Sequence, residues 1–112
     1  MRFDTSVWQR ALTEKKKQNE ALRSSLLHKA VPLLKQYFVD KEVAAVFLCG
    51  SILKPYAFDQ DSDIDIAAAG LKENVLRVAA DLEALLDWEI DLIELENCHF
   101  RDQIEEEGMR VL

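Results

Sequence analysis

The chain has 112 residues, 49% of them hydrophobic, and a formal net charge of −7. That length suits one folded domain with a real core, and three glycines and two prolines argue against a low-complexity chain. No apolar run nears the roughly 20 residues of a membrane helix, residues 1–10 lack a leader's apolar middle, and the acidic balance disfavours a nucleic-acid partner, so a soluble, cytoplasmic protein is expected.

From Thr5 to Phe38 the pattern is helical, with Asp4 or Thr5 placed to cap its start. Leu22, Leu26, Lys29 or Ala30, Leu33 and Tyr37 form one apolar stripe. Pro32 interrupts it and clashes with the carbonyl of His28, which predicts either a kink or two helices meeting near residues 28–32. Glu14 to Glu20 is polar all round, so the first part of the segment either extends from the domain or folds back through Val7, Trp8, Ala11 and Leu12. The basic run Lys15-Lys16-Lys17 reads as a solvated helix face.

Val43 to Cys49 is a near-continuous apolar run, hence a strand covered on both faces. A short helix follows over Ser51 to Lys54, stopped by Pro55, then a loop to Ser62. Ile64 to Ala69 is a second strand ended by Gly70, and Lys72 to Leu86 repeats its apolar residues as a helix does. Trp88 to Leu95 alternates, with Trp88, Ile90 and Leu92 on one face and Glu89, Asp91 and Ile93 on the other. Asn97 to Glu107 predicts a last helix with Gly108 as its stop, and Met109 to Leu112 a short final strand. The expectation is an α/β (α+β) fold: a small mixed sheet flanked by helices, in one domain over 1–112, with a helical segment at 1–38 and a core at 43–112.

The chemistry concentrates around the second strand. Side chains at i and i+2 of a strand share a face, so Asp63 and Asp65 project together while Ile64 and Ile66 point away. Two adjacent carboxylates on an apolar strand repel one another and lose hydration, and a hard divalent cation is the usual reason for them. Magnesium takes one or two protein carboxylates and fills its other positions with water and substrate phosphates. The Gly50-Ser51 turn one strand earlier offers backbone N–H groups and a hydroxyl to those phosphates. Asp91 is the best third carboxylate if the third strand neighbours the second; otherwise it is a sheet-edge carboxylate facing water. Glu89, on the same face, is a spare.

Rival chemistries fail on spacing. A calcium loop starting at Asp59 or Asp61 lacks its glycine and its final glutamate. Neither GxxxxGK[ST] nor GxGxxG is present. Nothing ties His28 or His99 to Ser51 as a base. Cys49 and Cys98 have no zinc spacing.

Gly50-Ser51, the intervening loop, Ser62-Asp63-Ile64-Asp65 and the later strand Ile90-Asp91-Leu92-Ile93 together resemble the minimal nucleotidyltransferases of the DNA-polymerase-beta-like superfamily. The resemblance spans roughly Val43 to Leu95 and implies a palm-like nucleotidyltransferase fold that transfers AMP from Mg-ATP to an acceptor hydroxyl. It implies that Gly50, Ser51, Lys54 and Ser62 contact the nucleotide, that Asp63 and Asp65 hold two magnesium ions, and that Asp91 completes the second site and helps activate the acceptor. Lys54-Pro55 stands where the family often has Arg and Gly; Lys54 keeps the charge without arginine's planar fork. Minimal members resemble antitoxins that place AMP on a tyrosine of a HEPN-domain toxin. The implied partner is such a toxin or a similar small helical protein, with the acceptor pocket completed by that partner or by a second copy. A non-enzymatic module that neutralises a partner by binding, and transfer to a small molecule, are the alternatives.

Overall fold

The computed structural model describes residues 5–112; the capping role expected of Asp4 lies outside them. One long helix, α1 (Ser6–Phe38), leads into a four-stranded sheet of β1 (Ala45–Cys49), β2 (Ile64–Ala69), β3 (Ile90–Glu94) and β4 (Met109–Arg110), with α2 (Val75–Leu86) and α3 (Arg101–Glu107) between strands. The strand order is β3-β2-β1-β4. β1 pairs antiparallel with β2 and β4, whereas β2 and β3 are parallel and joined through α2. The sheet is thus mixed, as expected.

Two apolar clusters sandwich the sheet. On one face, Leu26, Ala30, Leu34 and Phe38 of α1 and Val78, Leu82 and Leu86 of α2 pack with Val46, Leu48, Ile64 and Ile66. Full burial of each large aliphatic side chain contributes about 1.5–3 kcal/mol, so this face carries most of the stability. On the other face, Phe47, Cys49, Ala67 and Ala69 meet Leu95 and Ile104 under α3. β1 is buried at all five positions, as its apolar run predicts.

The structure corrects several sequence expectations. α1 runs through Pro32 for 33 residues as one helix, not as two meeting near residues 28–32. A mid-helix proline costs about 3 kcal/mol or more, but Leu26, Ala30, Leu34 and Phe38 bury one continuous line on either side of it, while Pro32 itself faces solvent. The buried stripe therefore continues from Leu26 and Ala30 to Leu34 and Phe38, with Leu33 and Tyr37 only partly covered. Thr5 holds the N-cap position of α1 without a side-chain capping bond. Val7, Trp8 and Leu12 do not fold back onto the core; they are 71%, 67% and 47% exposed. α2 begins at Val75 rather than Lys72, because the Asn74 side chain accepts the Arg77 N–H and caps the helix there. The last helix, predicted from Asn97, begins at Arg101, and a 3-10 turn at Leu95–Asn97 precedes it. β2 ends at Gly70, whose φ of 68° suits a residue without a Cβ.

Candidate functional site

Register brings the acidic residues together. Asp65 of β2 pairs with Cys49 of β1 on one side and Asp91 of β3 on the other, so one rung of the sheet reads Cys49, Asp65, Asp91. Alternation sends Ile64 and Ile66 into the α1–α2 core and leaves the Asp65 carboxylate on the α3 face. There Asp65 and Asp91 line a cleft of about 620 Å³ with Gly50 and Lys54 from the turn, Ile93 from β3, and Phe100, Gln103 and Glu107 from the α3 region. A second cleft of about 520 Å³ lies between α1 and the 59–61 loop against Trp88 and holds none of the paired strand carboxylates.

The turn after β1 is a short 3-10 segment, Gly50–Leu53, close to the predicted short helix. Gly50 has φ of 76°, and a Cβ there would sit 2.1 Å from Oδ2 of Asp65. Only glycine lets the turn close down on that carboxylate. Ser51 is half-buried beside it, and its carbonyl accepts the Lys54 N–H at 3.0 Å. Ser62 turns away from the cleft: its hydroxyl accepts the Asp59 N–H at 3.0 Å, and its carbonyl accepts the Trp88 indole N–H at 2.7 Å. This second bond ties the approach to β2 to the start of β3.

Electrostatics mark the same rung. Burial, then the charges of Asp91 and Asp63, push the Asp65 carboxyl up to about 6. Burial, then Asp65 and Asp91, push the Cys49 thiol up to about 12, so Cys49 is an inert wall of the cleft rather than a nucleophile. Asp63 precedes β2, outside the residues that line the cleft. Its hydrogen bond with Glu89 raises the Glu89 carboxyl above its ordinary value. A close pair of carboxylates, Asp65 and Asp91, thus lies in the cleft, with a second pair, Asp63 and Glu89, outside its lining.

Among the described residues no group of three or more His, Cys, Asp or Glu side chains is gathered closely enough to hold a metal ion alone. Magnesium requires no such cage; one or two carboxylates with water and substrate phosphates suffice. The donor set of Asp65 and Asp91, all hard oxygen beside the Gly50 turn, fits such an ion. The sequence did not disclose that α3 walls the cleft through Gln103 and Glu107. Its helical pattern was legible, but the face it turns toward Asp65 depends on the packing of Ile104 against the sheet.

A family model described as Polymerase beta, Nucleotidyltransferase matches residues 32–112. Three crystal structures are similar in fold. A mutant of a toxin–antitoxin MntA–HpeT has a TM-score of 0.59 at 19% identity, covering 73% of this chain and 71% of that one. A toxin–antitoxin with AMP-PNP has a TM-score of 0.60 at 21% identity, covering 73% and 72%. A toxin–antitoxin MntA–HepT has a TM-score of 0.50 at 21% identity, covering 80% and 71%. No curated protein matches the chain. No described helix is long and apolar enough to cross a membrane.

Proposed function

The chain belongs to the polymerase beta nucleotidyltransferase family, and we propose that it transfers AMP from ATP to a hydroxyl on a partner protein and thereby acts as an antitoxin. The observation that carries this reading is the rung that sets Asp65 beside Asp91 at the mouth of a cleft floored by the Gly50 turn. In the reaction the acceptor oxygen attacks the α-phosphorus, the bond to the β-phosphate oxygen breaks, and pyrophosphate leaves. The backbone N–H groups of Gly50 and Ser51 bind the triphosphate, and the Lys54 ammonium neutralises part of its charge. Asp63, Asp65 and Asp91 would hold magnesium, which when bound stabilises charge on the phosphoryl group. A carboxylate oxygen of Asp91, exposed at the cleft mouth, takes the hydroxyl proton. Ser62 supports the site indirectly, by holding the 59–62 turn that delivers Asp63.

What supports the choice of acceptor is the likeness in fold to toxin–antitoxin structures, one of them with AMP-PNP. A tyrosine on a small helical toxin of the HEPN type is the acceptor this reading assigns. The test is to incubate the chain with Mg-ATP and such a partner and weigh the partner by mass spectrometry. A gain of one AMP, absent with Asp65→Asn, is expected; no adduct with any plausible partner overturns the reading.

One observation favours a second reading. Val7, Trp8 and Leu12 stand exposed on the free part of α1, an apolar patch suited to binding a partner without chemistry. Partner neutralisation that survives Asp63→Asn and Asp65→Asn together would support a pure binding module. Turnover with no protein partner present would instead indicate a small-molecule acceptor.

A further inference from the structure

We infer that Arg23 and Glu20, on a stretch of α1 outside the matched family region, are positioning residues that hold the turn between β1 and β2 in its nucleotide-gripping shape. This inference rests on the nucleotidyltransferase reading for its functional consequence, and on hydrogen bonds alone for its structural one. The family match begins at residue 32, C-terminal to both residues.

The contacts form a closed set. Arg23 Nη1 donates to the carbonyl of Ile52 at 3.0 Å, in the middle of the Gly50–Leu53 turn. Arg23 Nε and Nη2 donate to both oxygens of Glu20, each at 3.1 Å. Glu20 Oε1 in turn accepts the backbone N–H of Tyr56. The Arg23–Glu20 pair therefore spans from one end of the segment, Ile52, to the other, Tyr56. Its side chains are only 16% and 23% exposed, and a fork–fork pair of this kind fixes direction as well as distance. Bonds to Arg23 and to the Tyr56 N–H hold the Glu20 carboxyl below its ordinary value.

Two features show what the brace holds. Tyr56 has a φ of 63°, a left-handed conformation that costs a bulky residue energy and persists only where its surroundings impose it. Glu20 bonds the very N–H of that residue. Lys54, between the two anchored points, lines the cleft with Gly50 and Asp65. Proline at 55 removes one backbone donor from this segment; its internal bonds run from the Lys54 N–H to the Ser51 carbonyl and from the Ala57 N–H to the Lys54 carbonyl, and the bonds from α1 anchor the Ile52 carbonyl and the Tyr56 N–H beside them. Arg23 cannot be exchanged for lysine here, since an ammonium cannot serve both Glu20 oxygens and the Ile52 carbonyl in one planar fork.

The test compares Arg23→Met, which keeps the aliphatic stem, with Lys29→Met. Lys29 also ties α1 to the rest of the chain, donating to the Leu86 carbonyl at 3.2 Å, but far from the turn. The full chain is titrated with Mg-AMP-PNP by calorimetry, and amide hydrogen exchange is followed by mass spectrometry without ligand. Arg23→Met should weaken nucleotide binding about tenfold and speed exchange in the peptide covering 50–57. Lys29→Met should lower the melting temperature without changing nucleotide affinity, and Arg23→Lys should resemble Arg23→Met. Wild-type affinity in Arg23→Met overturns the positioning role. Unchanged exchange over 50–57 overturns the brace itself, and that arm decides even if wild type binds no nucleotide, a result that would instead overturn the enzymatic reading.

Discussion

Replacing Asp65 by Asn should make the metal-free protein more stable at neutral pH, and the gain should depend on pH. Burial, followed by the charges of Asp91 and Asp63, raises the Asp65 carboxyl from 3.8 to about 6 in the folded chain. The folded state therefore keeps this proton to higher pH than the unfolded state does. Stability falls as pH climbs from about 4 toward about 6, and above that window the fold bears the whole cost of the crowded carboxylate. Roughly two pKa units at about 1.36 kcal/mol each set an upper bound near 3 kcal/mol. Because the side chain is only half-buried, solvent screening reduces this to about 1 kcal/mol. Urea unfolding in the presence of a chelator reads both forms. They should agree near pH 4, whereas at neutral pH the Asn form should be about 1 kcal/mol more stable, roughly 4 °C in Tm. Equal stability at both pH values, or a less stable Asn form at neutral pH, refutes like-charge crowding on this rung. Magnesium added with nucleotide should then stabilise wild type and leave the Asn form unmoved.

Gly50→Ala should cost about 2 kcal/mol or more and abolish nucleotide binding, since its Cβ collides with Asp65 Oδ2 in a backbone conformation that alanine avoids; calorimetry and thermal unfolding measure the two effects. Leu34→Ala, at a fully buried site on the α1 stripe, should cost about 3 kcal/mol in chemical unfolding. Asn74→Ala removes the side-chain acceptor that caps α2 and should cost about 1 kcal/mol by the same measurement, leaving nucleotide affinity unchanged.

Much of this geometry could be read from residue order. β2 was legible to its ends because Ile64 to Ala69 is bounded by a turn before and Gly70 after. The faces of β3 followed from strict alternation, and they put Asp91 opposite Ile90 and Leu92, as observed. What was not legible depends on long-range packing. Pro32 predicts either a kink or two helices by local rules, and the core line from Leu26 to Phe38 keeps the segment one helix. The charge of Asp63 acts on Asp65, but its hydrogen bond with Glu89 has no local signal, because it depends on β2 and β3 being brought together, as the Trp88–Ser62 bond across 26 residues does. Nothing local to Arg23 announces its bond to the Ile52 carbonyl, because the two are 29 residues apart.

β3 lies at the margin of the sheet, with no strand beyond it among the described residues. Such a margin offers unpaired backbone groups on which another chain can build, and charged side chains are a common guard against that. Asp91 and Glu94 stand among Ile90, Leu92 and Ile93 on this short strand. The acid proposed to serve the chemistry thus also sets a charge on the edge where a second chain would pair. An inactivating Asp91→Ala change would strip away that guard as well, leaving an aggregation-prone strand, so lost activity in such a variant has to be separated from lost monomer. Asp91→Glu, which keeps the charge while shifting the carboxylate, separates them.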